Sequence, residues 1–469
     1  MNLPGEFTVK TKPNPDKDCF LRPQLRFPIT NREPGETIAF QDGRAISVKQ
    51  FLEQVNSLSS RLPNHRYVFN LFTDRYQYLL GFCASIIAGQ CTLMPPNRLE
   101  KTLEQLALEY SDSYFLGDTV QSCQEVDLSS HRYQSTQTDC HEIPLVAADQ
   151  LCAIAFTSGS TGSPAPNLKY WRTLRTGSLG NAELLLNKPG EQLNIVATVP
   201  PQHMWGLETS ILLPLFAKTA ISDRTPFYPQ DIADALASLP EPRALVSSPM
   251  HLSVLLKSEI PLVSLDLIFS ATAPMSKELA EQLESHFKTR VIEAFGCSES
   301  GILAGRRTTE ESLWHLSDLF DLEVKKNGVL IKAPHLPGDV LLQDVIEKFG
   351  HDRFKWLGRH HDMVNIAGKR GSLTDLNRCL LAIKGVTDGV VFQPGNGTGR
   401  LVALVVAPGL KPSDILEELK LVVDSVFLPR PIHLVSTLPR QETGKLAHTA
   451  IMSLYKEVIA AKKSDQKEP

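Results

Sequence analysis

Residues 151–164 read Leu-Cys-Ala-Ile-Ala-Phe-Thr-Ser-Gly-Ser-Thr-Gly-Ser-Pro. The apolar run Leu151–Ala155 is a strand candidate, and Phe156–Pro164 after it concentrates hydroxyls and glycines. Glycines let backbone N–H groups turn inward, and serine and threonine hydroxyls add donors, so this composition makes a cradle for an anion, phosphate above all. No Gly-Lys-[Ser/Thr] follows, which sets the loop apart from that of P-loop kinases and ATPases. Working outward, the same order of strand, loop and helix recurs. Arg66–Leu71 precedes a helical Arg75–Ala88, Asn194–Val199 precedes Leu207–Phe216, and Leu265–Ser270 precedes Lys277–Phe287. Strands alternating with helices predict a doubly wound, parallel α/β sheet, which takes its ligand at the carboxyl ends of its strands.

The texture changes near Gly358. Gly385–Phe392, Arg400–Ala407, a helical Ser413–Val426 and Pro431–Ser436 predict a small α+β module, so the chain divides into a large domain, 1–357, and a smaller one, 358–469. The last residues, 460–469, read as a solvated tail. A balance of 48 basic against 52 acidic residues provides no field to hold nucleic acid, and no basic stripe with aromatic platforms is visible. The run Tyr78–Met94, broken by Gly81, Gly89 and Gln90, is too short for a membrane span and reads as a buried helix entering a strand. Residues 1–20 carry charges and prolines with no apolar core, so no secretory signal is expected and the chain is placed in the cytoplasm. Eight scattered cysteines without a CxxC pair read as free thiols.

The order of residues in the loop is more specific than its composition. Thr157-Ser158-Gly159-Ser160-Thr161-Gly162-Ser163-Pro164 resembles the phosphate loop of the adenylate-forming superfamily, the acyl-CoA synthetases, aryl-acid ligases and peptide-synthetase adenylation domains. Where the family has lysine this chain has Ala165, and Lys169, four residues on, is the candidate to reach the pyrophosphate. The resemblance continues in order to Leu446. Pro200–Gly206 corresponds to the loop whose aromatic or histidine residue lines the acyl pocket and thiol channel, which implies roles there for His203, Trp205 and Gly206, with Ser247, Ser248 and Ala273 nearby. Ser270–Met275 resembles the loop bordering adenine, which implies nucleotide contacts for Ala271 and Thr272. Phe295-Gly296-Cys297-Ser298-Glu299 resembles Tyr-Gly-x-Thr-Glu, in which the ring stacks on adenine, the hydroxyl meets phosphate and the carboxylate holds Mg2+. Dense negative charge on ATP calls for such a hard cation before a carboxylate nucleophile can approach.

Asp344 stands where the family's ribose-binding aspartate does, and a carboxylate accepts from both ribose hydroxyls at once. Gly358–Arg370 resembles the hinge segment, matching at Arg359, Asp362, Gly368 and Arg370, with His361 in the place of the hinge aspartate. Imidazole titrates near neutrality, so that pivot is expected to be more pH-sensitive. Pro439–Leu446 resembles the loop that carries the adenylation lysine, here Lys445. The resemblance therefore implies an acid–thiol ligase that uses ATP and Mg2+, makes an acyl-AMP and then a thioester, and has a mobile carboxy-terminal domain. The strings at 200–208 and 164–166 resemble ligases loading aryl acids, hydroxybenzoate or cinnamate-like, onto an acyl carrier protein in aryl-polyene pigment pathways. Coenzyme A is the other acceptor. A medium-chain fatty acid is the alternative substrate, and a nucleotide-binding relative without catalysis the alternative role.

Overall fold

The computed structural model of the chain describes residues 25–118, 125–127, 142–157, 165–186, 192–359, 363–366, 369–394, 400–440 and 446–465. Two large sheets dominate. One has six strands in the order 165–170, 151–157, 91–94, 67–70, 113–117, 125–127, and all pairs are parallel except the first. The other has eleven. Its parallel centre runs through Arg290–Cys297, Leu267–Ser270, Arg243–Ser247, Leu193–Ala197, Thr219–Ser222 and Thr37–Gln41, with antiparallel strands closing both edges. The doubly wound α/β class expected from the strand–helix alternation is the observed one.

The helix Arg75–Ile87 shows why the apolar run was so long. It lies between the two sheets, touching strands of both, and its sides are buried almost all round. Asp74 caps it, its carboxylate accepting the Gln77 N–H at 2.8 Å, and the strand Cys91–Met94 follows directly. Trp171–Leu185 is a second helix touching strands of both sheets, with Trp171 fully buried.

The expected helix Leu207–Phe216 differs in the structure. Two short α-turns, Met204–Leu207 and Leu213–Phe216, flank a π-helical turn, Glu208–Leu212, whose Leu213 N–H reaches back to Glu208 O. Pro214 has no N–H to donate back along the helix, and the Thr209 and Ser210 hydroxyls occupy the carbonyls of Trp205 and Gly206 at 2.6 Å each, so the ladder widens there.

Residues from Met363 onward build their own sheets. Met363–Ile366 pairs with Lys369–Ser372, and Asp388–Phe392 is antiparallel to Val402–Val406, which is parallel to Ile432–Leu434. Helices Leu373–Leu381 and Pro412–Val422 close a core that includes Leu380, Val391, Ala403, Ile415 and Leu419. The strand Arg353–Arg359 pairs with Asp344–Phe349 in the eleven-stranded sheet, which thus extends two residues past Leu357. Cys83, Cys91, Cys152, Cys297 and Cys379 are free thiols. No helix among the described residues is long and apolar enough to cross a membrane.

Candidate functional site

The carboxyl ends of four neighbouring parallel strands set the scene. After Leu193–Ala197, the Thr198 N–H donates to Val246 O at 2.9 Å, and its hydroxyl lies 2.8 Å from that of Ser247, which is opposite Ser270 in register. All three hydroxyls are buried, and that of Ser270 has no partner among the described residues. The chain then turns through Pro200–Gly206. The His203 N–H donates to Pro200 O at 3.1 Å, and its Nδ1 accepts the Trp205 N–H at 3.3 Å, so the imidazole caps the short helix it precedes. Trp205 packs with Ala197, Val199, Phe269, Ala271 and Ile302 in one apolar cluster, and its indole N–H has no partner among the described residues. Gly206 is required by space. A Cβ there would stand 2.1 Å from Pro200 O.

This loop is braced from behind by a residue that sequence reasoning missed. Arg75, fully buried, donates to Ala197 O at 2.9 Å, Val199 O at 2.8 Å and Ser210 Oγ at 2.5 Å. Burial pulls its pKa down to about 10, so the guanidinium stays charged and satisfies carbonyls that would otherwise lack donors.

One strand along, Ser270–Met275 is held at its far end by Glu293, which accepts the Met275 N–H at 2.8 Å, the Thr308 hydroxyl at 2.8 Å and the Arg306 guanidinium at 2.7 Å. Within that loop Thr272 has φ of +79°, the left-handed region that a β-branched residue rarely enters. Ala271 is buried and Ala273 is exposed.

Phe295 stands among Trp314, Phe354 and Trp356, with ring centroids 5.3, 5.6 and 6.5 Å away. The Trp356 indole N–H donates to Asp344 Oδ1 at 2.7 Å, and Asp344 is buried. The two residues expected at adenine and ribose thus share one aromatic cluster, joined by Trp356, a residue the motifs did not point to. Gly296 and Glu299 are exposed and Ser298 is half-buried. Among the described residues no group of three or more His, Cys, Asp or Glu is placed to hold a metal. An exposed single carboxylate such as Glu299 suits Mg2+, which takes most of its oxygens from phosphates and water.

Lys169 is not at the surface. Its side chain is fully buried, and Nζ donates to Ser298 O at 2.5 Å and Glu299 O at 2.9 Å. Burial lowers its pKa, while Glu208, Cys297 and Glu299 oppose that shift. Thr157 ends the strand Leu151–Thr157, paired with Ala165 across the hairpin. Ser158, Gly159, Ser160, Thr161, Gly162, Ser163 and Pro164, the hinge residues His361 and Asp362, and Lys445 lie outside the described residues. Arg359 pairs through its backbone with Asp344, and Arg370 with Asn365.

The sequence pattern of the family described as AMP-binding enzyme matches residues 28–318. The chain belongs to that family. It is the adenylate-forming superfamily that the motifs resembled, and the chain is an AMP-forming acid–thiol ligase. Among relatives, the chain is similar to a 4-coumarate–CoA ligase of Halorhodospira halophila, 24% identical over 325 residues that cover 66% of this chain and 78% of that one. A 3,4-dihydroxybenzoate–[aryl-carrier protein] ligase of Bacillus anthracis is 21% identical over 312 residues, covering 64% and 73%. In three dimensions the fold is similar to that of an anthranilate–CoA ligase solved with anthranoyl-AMP, at a TM-score of 0.76 and 15% identity, covering 92% of this chain and 95% of that one.

Proposed function

We propose that this ligase activates a small aromatic carboxylic acid as its acyl-adenylate and passes the acyl group to a thiol, on the phosphopantetheine of a carrier protein or on coenzyme A. The observation that carries the reading is adjacency. The apolar Trp205 cluster with its buried hydroxyls lies at the ends of strands Leu193–Ala197, Arg243–Ser247 and Leu267–Ser270, directly beside the Phe295–Glu299 strand end. A flat acid held against Trp205 would present its carboxylate toward the α-phosphate of a nucleotide seated on Phe295. The names of the relatives, a coumarate ligase and a dihydroxybenzoate ligase, support an aromatic acid and divide on the acceptor.

In the first half-reaction a carboxylate oxygen attacks the α-phosphorus and pyrophosphate leaves. Asp344, oriented by Trp356, takes the ribose hydroxyls, and Phe295 takes the adenine face. Mg2+, when bound at Glu299, neutralises phosphate oxygens. Lys445 bridges the acid and the α-phosphate, and its ammonium gains strength as negative charge develops between them. The smaller domain, 358–469, then turns to bring the thiol in past His203, and the thiolate displaces AMP from the acyl carbon.

Pyrophosphate release should be measured with ATP and Mg2+ across benzoates, cinnamates, fatty acids and amino acids, with Lys445→Ala alongside. Release dependent on an aromatic acid, falling by roughly a hundredfold or more in the variant, is expected. Release with fatty acids alone would overturn the aromatic assignment, and none with any acid would overturn the activity. AMP release and thioester formation with coenzyme A against a phosphopantetheinylated carrier protein then names the acceptor.

A further inference from the structure

The turn from Ser298 to Ile302 has a buried charge on each side. From one side comes Lys169, 1% exposed, with its ammonium on the carbonyls of Ser298 and Glu299. Its strand belongs to the six-stranded sheet, whereas the turn joins two strands of the eleven-stranded one, so the side chain crosses from sheet to sheet. From the other side comes Glu208, 7% exposed, on the π-helical turn. Its Oε1 accepts the Ile302 N–H at 3.0 Å and the Asn181 amide at 3.3 Å. Gly301 between them has φ of +83°, and a Cβ there would stand 2.5 Å from Glu208 Oε1. The polarity matches. Lys169 holds the turn's first two carbonyls and Glu208 its last amide; burial lowers the pKa of the lysine and raises that of the glutamate, and each group opposes the other's shift. With the carbonyl of residue 299 drawn inward, the Glu299 carboxylate is left exposed.

Two isolated buried charges would be a heavy burden for a turn that had only to connect two strands, because each must be desolvated. Here both hydrogen bonds of the lysine go to backbone carbonyls of Ser298 and Glu299, the residues expected to meet phosphate and Mg2+. We propose that Lys169 and Glu208 form an internal bracket that presets the Ser298–Ile302 turn for the magnesium nucleotide, with Lys169 a positioning residue acting through the backbone. This rests on the assignment of that turn to the nucleotide under the proposed function.

The test uses the full chain with Lys169→Met, Glu208→Leu and the double variant, reading the thermal midpoint without nucleotide, the calorimetric Kd of Mg·ATP, and the KM for the acid. Each single variant should melt earlier and bind Mg·ATP roughly tenfold to a hundredfold more weakly, as when the supports of a ligating group are removed. The double variant, with no unpaired charge left, should melt above both singles yet keep the weak Kd, and the acid KM should stay within about twofold of that of the native protein. Recovery of the Kd in the double variant would overturn the bracket. So would weakening in Lys169→Met with an unchanged Kd in Glu208→Leu, since that pattern means a direct phosphate contact. Should the variants not fold, hydrogen exchange on the nucleotide-free native protein decides: the Ile302 amide should be as protected as those of Arg290–Cys297, and rapid exchange would overturn the proposal. Native protein that binds Mg·ATP but releases no pyrophosphate with any acid would sink the proposed activity alone, leaving the bracket to be judged on Kd.

Discussion

Replacing Thr272 by glycine should make this protein more stable. At φ of +79° a β-branched side chain is forced against its own backbone, a conformation that costs on the order of 1–3 kcal/mol. Glycine enters that region freely but gives up about 0.5–1 kcal/mol through its greater freedom in the unfolded chain. The difference is a net gain of up to about 2.5 kcal/mol. For a chain of 469 residues this corresponds to a thermal shift of up to about 5 °C, since the shift per kcal/mol shrinks as size increases. The assay is a thermal melt without nucleotide on Thr272→Gly, Thr272→Asn and Ala271→Gly. Asparagine tolerates the left-handed region and should share part of the gain. Ala271, the buried neighbour without a positive φ, should lose stability on becoming glycine. A fall in the midpoint of Thr272→Gly together with that of Thr272→Asn would refute the argument, because it would show that the threonine side chain contributes more than its backbone strain removes. The same variants report on function. If the strained turn holds the loop against the nucleotide, Thr272→Gly should gain stability while its KM for ATP rises, the exchange of rigidity for strain seen at binding loops.

Burial, then Asp223 and Asp118, raises the Asp74 pKa from 3.8 to about 6. The folded state therefore holds a proton that the unfolded state releases near pH 4, and stability falls as pH rises through that window, with the penalty complete above pH 6. Asp74→Asn keeps the cap on Gln77 and should raise stability by up to about 2 kcal/mol at pH 8, with no gain at pH 3, in melts taken across pH. Gly206→Ala should raise the KM for the acid and destabilise by about 2 kcal/mol, because a Cβ cannot fit beside Pro200 O. Trp356→Phe keeps a ring beside Phe295 but removes the donor to Asp344, so the KM for ATP should rise by up to roughly tenfold with the KM for the acid unchanged.

Much of the architecture was readable because burial on both faces leaves a signature: a long apolar run, broken by Gly81, Gly89 and Gln90, that passes from a buried helix into a buried strand, as between Tyr78 and Met94. The proposed nucleotide side left strings, since a role for Phe295–Glu299 and Asp344 requires particular side chains at particular places. The supports were not. Lys169 sits in Pro-Asn-Leu-Lys-Tyr, where a charge on an edge strand looks solvated, and its partners come 129 and 130 residues later. Arg75 acts through equally non-local contacts, and Trp356 reaches Asp344 across neighbouring strands that no motif marked. Glu208 did leave a signal, a lone acid in the apolar run Met204–Phe216, and Pro214 marked where the helix could not continue regularly.

Arg75 links a helix near the start of the chain to the floor of the proposed acid pocket, with partners 122, 124 and 135 residues away. That separation makes the pocket late in time as well as distant in sequence. During synthesis the guanidinium emerges with no carbonyls to meet, and until residues 197–210 follow it must stay hydrated, outside the space between the sheets that its helix will occupy. Contacts that close so large a loop form slowly, after local helices and hairpins. In refolding, helical signal should therefore return before the capacity to bind an acid, and the interval between them measures how long this one buried cation takes to leave water.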